Sequence, residues 1–100
     1  MDELLKKEHF DPHLNTEFEI IANGVGSIQA QLVQVNAWNR DLSEGFKLLF
    51  KGPKEPVFPH ATLVVKHPSM GEFEIFLGPV MVPKQDGVYY EAIFNRMKED

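Results

Sequence analysis

The stretch Thr16-Glu17-Phe18-Glu19-Ile20-Ile21-Ala22, followed by Asn23-Gly24-Val25-Gly26 and then by Ser27-Ile28-Gln29-Ala30-Gln31-Leu32, decides the fold. Phe18, Ile20 and Ala22 alternate with Glu17 and Glu19. That period of two sends successive side chains to opposite faces of a strand, one toward a core and one toward water. Asn23 to Gly26 is turn chemistry, and from Ile28 to Val35 apolar residues alternate with glutamines as a second strand. Two such runs joined by a short glycine-bearing turn read as an antiparallel hairpin.

The same period recurs along the chain. Phe46, Leu48 and Phe50 alternate with Lys47 and Lys51 as a third strand, closed by Gly52-Pro53, and residues 37–45 before it read as a loop. The proline-bearing segment Lys54 to Pro59 is expected to be an exposed connection. Leu63 and Val65 mark a fourth strand ending at His67, and Pro68-Ser69-Met70-Gly71 supplies a tight turn into a fifth with Phe73, Ile75 and Leu77. Asp86-Gly87 is the strongest two-residue hairpin signal and leads into a sixth strand, Val88 to Asn95. Upstream, Asp2 is placed to N-cap a short helix to about Phe10, which Pro12 should stop. The expected fold is therefore mainly β. Residues 1–100 form a single small domain with a short N-terminal helix over about 2–11 and six antiparallel strands within 16–96. These either close into a barrel or pack as a sandwich. A barrel is the first choice, because closure hides the strand edges that invite aggregation.

Charge and composition narrow the function. Fifteen Asp and Glu against ten Lys and Arg give a net charge of −5, a field that repels phosphate, so no nucleic-acid partner is expected. The chain has no Cys, which excludes a disulfide framework, a thiol nucleophile and a Cys-based zinc site. Neither Met1 to Glu8 nor any other stretch has an apolar run of signal-peptide or membrane-span length, so a cytoplasmic location and no membrane partner are expected.

The strands nevertheless carry too much apolar side chain for one core face. Ile21, Val33, Leu49, Val64 and Phe76 fall on the side opposite the regular alternation. The sixth strand has Val88, Tyr90, Ala92 and Phe94 on one face and Tyr89 and Ile93 on the other. Leaving such side chains in water forgoes about 1.5–3 kcal/mol each. Two covers are open: Leu4, Leu5 and Phe10 of the N-terminal helix, or a second protein surface.

Sites of chemistry are scarce. His9 and His13 have helical metal-ligand spacing, but Pro12 lies between them and breaks the register. His60 and His67 are an odd number apart and point to opposite faces of a regular strand. Glu72 and Glu74 share a face, more simply the wet side of a half-buried strand than an acid–base pair. Glu91 sits on a largely apolar strand, where an ion pair or hydrogen bond is expected rather than catalysis. Ser27, Ser43 and Ser69 lack a nucleophile-elbow motif, and Gly24-Val25-Gly26 lacks the third glycine of a dinucleotide site. No catalytic residue, metal or cofactor is expected. Trp38, placed in the loop Asn36 to Arg40, reads as a lid on the core or as an anchor for a partner.

Three blocks carry a family pattern: Phe46 to Pro53, then His67 to Val80, and Tyr90 to Arg96. Over the chain from the Phe10 region to Arg96 the pattern resembles a group of small bacterial proteins classed as a domain of unknown function, some of them encoded near phage-tail-like fibre or collar proteins. The resemblance supplies no catalytic residue and implies an accessory or structural role. The expected function is a non-enzymatic structural or adapter protein with a protein partner or a homo-oligomeric state. Its candidate interaction surface is Trp38, Leu49, Val64, Phe76, Tyr90 and Phe94. The alternative is a barrel that binds a small-molecule ligand at one mouth.

Overall fold

A computed structural model describes residues 7–82 and 86–97. A single helical turn, α1 (Lys7–Phe10), runs into a 3-10 turn, Asp11–His13. Six strands follow: β1 (Glu17–Ala22), β2 (Gly26–Asn39), β3 (Ser43–Gly52), β4 (Ala61–His67), β5 (Gly71–Val80) and β6 (Val88–Met97). Every pairing is antiparallel, and the strands close in the order β1-β2-β3-β6-β5-β4. The barrel forms rather than the sandwich. Its ladders are unequal, with ten residue pairs between β3 and β6 but three between β5 and β6 and three between β1 and β4. The β4–β5 hairpin thus closes the cylinder against a continuous four-stranded sheet through two short seams.

The alternation read from the sequence is the inward face. Phe18 and Ile20, Ala30 and Leu32, Leu48 and Phe50, Val65, Leu77, Tyr90 and Ala92 are all fully buried. One interruption shapes the barrel. Opposite β3 the β2 register passes from Leu32↔Phe50 to Gln34↔Leu49, so Val33 is the extra residue of a β-bulge. A bulge bends its strand and shifts the parity of the residues beyond it. Before it Ile28, Ala30 and Leu32 point inward; after it Val35 packs on the core. The bend lets one strand of fourteen residues serve β1 with its first half and β3 with its second.

Three expectations are corrected here. The loop assigned to residues 37–45 is largely strand: the β2–β3 ladder continues to Asn39↔Glu44, and the Arg40 N–H donates to the Ser43 carbonyl at 2.8 Å. Small and polar side chains there hide the period of two, while backbone pairing sustains the strands. The connection between β3 and β4, which contains a cis Glu55–Pro56 bond, is exposed except at Phe58. Phe58 is fully buried, and its N–H donates to the Tyr90 hydroxyl at 3.0 Å. Finally, Phe10 does not lie over the outer faces. Its ring enters the barrel mouth and meets Phe18, Phe46, Phe73 and Phe94 at centroid distances of 5.8–6.5 Å. Leu4, Leu5 and the proposed cap Asp2 fall outside the described residues.

Phe10 and Phe58 therefore stopper the barrel at opposite ends. Asn15, at φ 71, adopts the left-handed conformation that Asn tolerates and turns the chain from the Phe10 cap into β1. Phe10→Ala should cost about 3–5 kcal/mol, the range for emptying a phenylalanine site in a packed core. Tyr90→Phe should cost about 1–3 kcal/mol by leaving the buried Phe58 N–H unpaired. Chemical denaturation checks both; a Phe10→Ala loss below about 1 kcal/mol would mean that the ring does not fill the mouth.

Candidate interaction face

Once the inward face is fixed, register sets the outer one. On β6, Tyr90 stands across from Phe50 and Ala92 across from Leu48, so the row Val88, Tyr90, Ala92, Phe94 points into the barrel. Tyr89, Glu91 and Ile93 point out. Tyr90 is fully buried, and Phe94 stacks on Phe46 with centroids 4.5 Å apart, so neither supplies the interaction surface assigned to it. Both faces of β6 carry apolar residues, and parity within one strand does not say which row faces in. The signal that resolves it is Glu91, since a carboxylate marks the wetter row.

Leu49 and Val64 are half-buried on the outer face, and Phe76 is 61% exposed there. The residue missed by sequence reasoning is Ile93, 58% exposed on the neighbouring strand. Phe76 and Ile93 each lie two residues beyond the Gly78↔Glu91 pair, on the same face of β5 and β6. His60 extends this surface: its ring stacks on Phe76 at 6.4 Å and covers Gly78, where any side chain would collide with the imidazole. Trp38 is not a loop residue. It pairs with Gly45 in the β2–β3 ladder, and its half-buried indole lies over that glycine. A side chain at position 45 would strike both the indole and the Phe94 carbonyl, which is why glycine stands there.

Polar groups frame this surface with modest electrostatics. Lys47 Nζ lies 3.6 Å from Glu91 Oε2, the ion pair expected for this carboxylate. Lys66 reaches Glu72 across the β4–β5 hairpin at 3.8 Å, and Glu74 remains exposed. Exposed pairs of this kind contribute about 0–1 kcal/mol, so they border the face rather than hold the fold. At the start of β6, Asp86 accepts from Lys51 Nζ at 2.8 Å and from the Tyr89 hydroxyl at 2.9 Å. These two donors, Lys51 first, hold the Asp86 carboxyl down to about 2.

The histidines are divided between the two faces. His60 is on the outer face, whereas His67 is buried on the inner face with Leu63 and Val65. The His67 ring lies 4.4 Å from those of His13 and Phe18, and His13 belongs to the 3-10 turn rather than to one helix face shared with His9.

A small antiparallel β-barrel with filled ends and an apolar outer patch is the class this architecture defines. Residues 5–94 match the family described as a domain of unknown function, DUF6916, and the chain belongs to that family. No curated protein and no solved structure matches it. Among the described residues no helix is long and apolar enough to cross a membrane.

A carboxyl titration by NMR should place Asp86 near 2, and Tyr89→Phe should raise that midpoint by removing a donor to the carboxylate. An unchanged midpoint in Tyr89→Phe would show that Lys51 alone sets it.

Proposed function

We propose that this domain is a non-enzymatic structural or adapter module that binds another protein surface, a second copy included, through the outer face of β3, β6 and β5. The observation that carries this reading is the exposure of Phe76 and Ile93, 61% and 58%, on the same face of neighbouring strands just past the end of their ladder, with half-buried Leu49 and Trp38 on the same sheet. Single exposed apolar residues are ordinary; grouped ones on a closed, well-filled barrel are the usual material of an interface. The setting suggested by the sequence resemblance is an accessory place in a phage-tail-like assembly.

The ligand-binding alternative finds less support. Small barrels offer a lumen only when side chains leave one. Here Phe18, Phe50, Leu32, Leu48 and Tyr90 fill the interior, and Phe10 and Phe58 close its ends. The hollow beside the β1–β2 turn, lined by Glu19, Ile21, Val25 and Ser27, is open to solvent.

The test is assembly state, by light scattering behind a sizing column and by capture from the source lysate. Wild type should exceed the 11.4 kDa monomer mass or retain a larger protein. The Phe76→Glu, Ile93→Lys double variant should lose that assembly while its stability stays within about 0.5 kcal/mol, as for surface substitutions. A variant that assembles like wild type, or one that unfolds, overturns the reading.

A further inference from the structure

The N-terminal cap, residues 7–16, is fastened to the barrel at two places. At β2, the Asn15 N–H donates to the Leu32 carbonyl at 2.6 Å and the Leu32 N–H returns a bond to the Thr16 carbonyl at 3.0 Å. At the end of β4, the fastening is His67. Its Nδ1 lies 3.0 Å from the Ser69 backbone nitrogen, which can only donate, so Nδ1 must be the unprotonated acceptor. The proton then sits on Nε2, 3.0 Å from Thr16 Oγ1, and the hydroxyl donates its own proton to the His13 carbonyl at 2.5 Å. The His13 carbonyl also takes the Thr16 N–H at 3.1 Å, and the bond from Ser69 to Nδ1 can be made only by the neutral imidazole.

We propose that His67 is a pH-sensitive latch that holds the cap in the barrel mouth, and that its protonation releases the cap and withdraws Phe10 from its socket. A proton on Nδ1 would set two donors, His67 and the Ser69 N–H, against each other. It would also place a charge in a buried site against the His13 imidazole, with centroids 4.4 Å apart.

Among the described residues no carboxylate faces that charge. From the 3-10 turn the ring meets His13, and from β1 it meets Phe18. Glu17 and Glu19 alternate with Phe18 and point outward, as do Lys66 and Glu72, which pair with each other. Asp11 is bound by Lys7 at 2.6 Å, Glu8 is exposed on α1, and His9 lies on the same turn. The ion pairs Lys7–Asp11, Lys47–Glu91, Lys51–Asp86 and Lys66–Glu72 leave His67 out. Burial, and after it the neighbouring His13, accordingly lowers the His67 pKa from the ordinary histidine value.

Linkage sets the sign. A histidine whose closed-state pKa is depressed favours closure fully above the open-state value of about 6.5. Below that value the open state binds the extra proton, so closure weakens as pH falls toward the depressed pKa. For one proton the closed-to-open ratio falls by at most about tenfold per pH unit. Release would bare Phe18, Phe46, Phe73 and Phe94, the rings that Phe10 now covers.

Amide hydrogen exchange on the full chain, corrected for the intrinsic pH dependence, reads this directly. Between pH 7.5 and pH 5, protection of residues 7–16 should fall several-fold while the β3 and β6 amides stay protected. His67→Gln, which offers an acceptor and a donor but cannot titrate, should abolish that difference. Equal protection of the cap at both pH values, or a pH response that survives in folded His67→Gln, overturns the proposal. Wild-type imidazole NMR provides a check that needs no variant. It should show the Nε2–H tautomer at neutral pH and a midpoint below about 6.5, and an Nδ1–H tautomer would equally overturn the latch.

Discussion

Closing six strands into a cylinder creates two open ends, and the placement of one phenylalanine ring in the first of them is the constraint on which the rest depends. Phe10 reaches from a helical turn into a socket made by Phe18 of β1, Phe46 of β3, Phe73 of β5 and Phe94 of β6. Those rings belong both to the continuous sheet and to the β4–β5 hairpin, which is otherwise joined to it by two ladders of three residue pairs each. The apolar contact therefore supplies at this mouth what backbone pairing does not. At the other end Phe58 and Tyr90 do the same with one buried hydrogen bond added.

Phe10 and Phe58 close the two ends of the barrel. Phe18, Leu32, Leu48, Phe50 and Tyr90 occupy its interior and are fully buried. The outer face that results is uneven. Around β1 and the β4–β5 turn it is charged, with Glu17, Glu19, Lys66 and Glu72; across β6 and β5 it holds Ile93 and Phe76 beside the Lys47–Glu91 pair. An apolar centre with a polar border is the arrangement found where protein surfaces meet.

The inner and outer faces also differ in how they treat ionisable groups. Outside, Asp86 gains from Lys51 and Tyr89 and is held as the anion. Inside, none of the ion pairs among the described residues includes His67, and burial, then His13, lowers its pKa. Both groups secure a connection: Asp86 the entry into β6, and His67 the joint between the cap and β4.

Much of this was legible from residue order alone. The period of two along Phe18 to Ala22, Ile28 to Leu32, Phe46 to Phe50, Leu63 to His67 and Phe73 to Leu77 determined the strands and most of the core, because a strand's geometry makes that period physically necessary. The strand content left barrel and sandwich open with the barrel as first choice, which the strand order bears out, and the surplus of apolar side chains pointed to an outer face covered either by the N-terminal helix or by another protein. Within that surplus Phe76 was identified, whereas Tyr90 and Phe94 were placed on the wrong side and Ile93 was passed over. Side selection on β6 depends on its register with β3, a non-local pairing that no single strand encodes. Tertiary structure alone decided three further things. It extended β2 and β3 through residues 37–45 by backbone pairing, which leaves no mark in side-chain pattern. It turned Phe10 into the barrel mouth from a helix expected to cover the outer faces, and Phe58 inward from a segment that read as exposed. It brought His13 and His67, distant in sequence, into ring contact, because the three-dimensional closure of the barrel mouth, not their spacing along the chain, sets which side chains share a buried site.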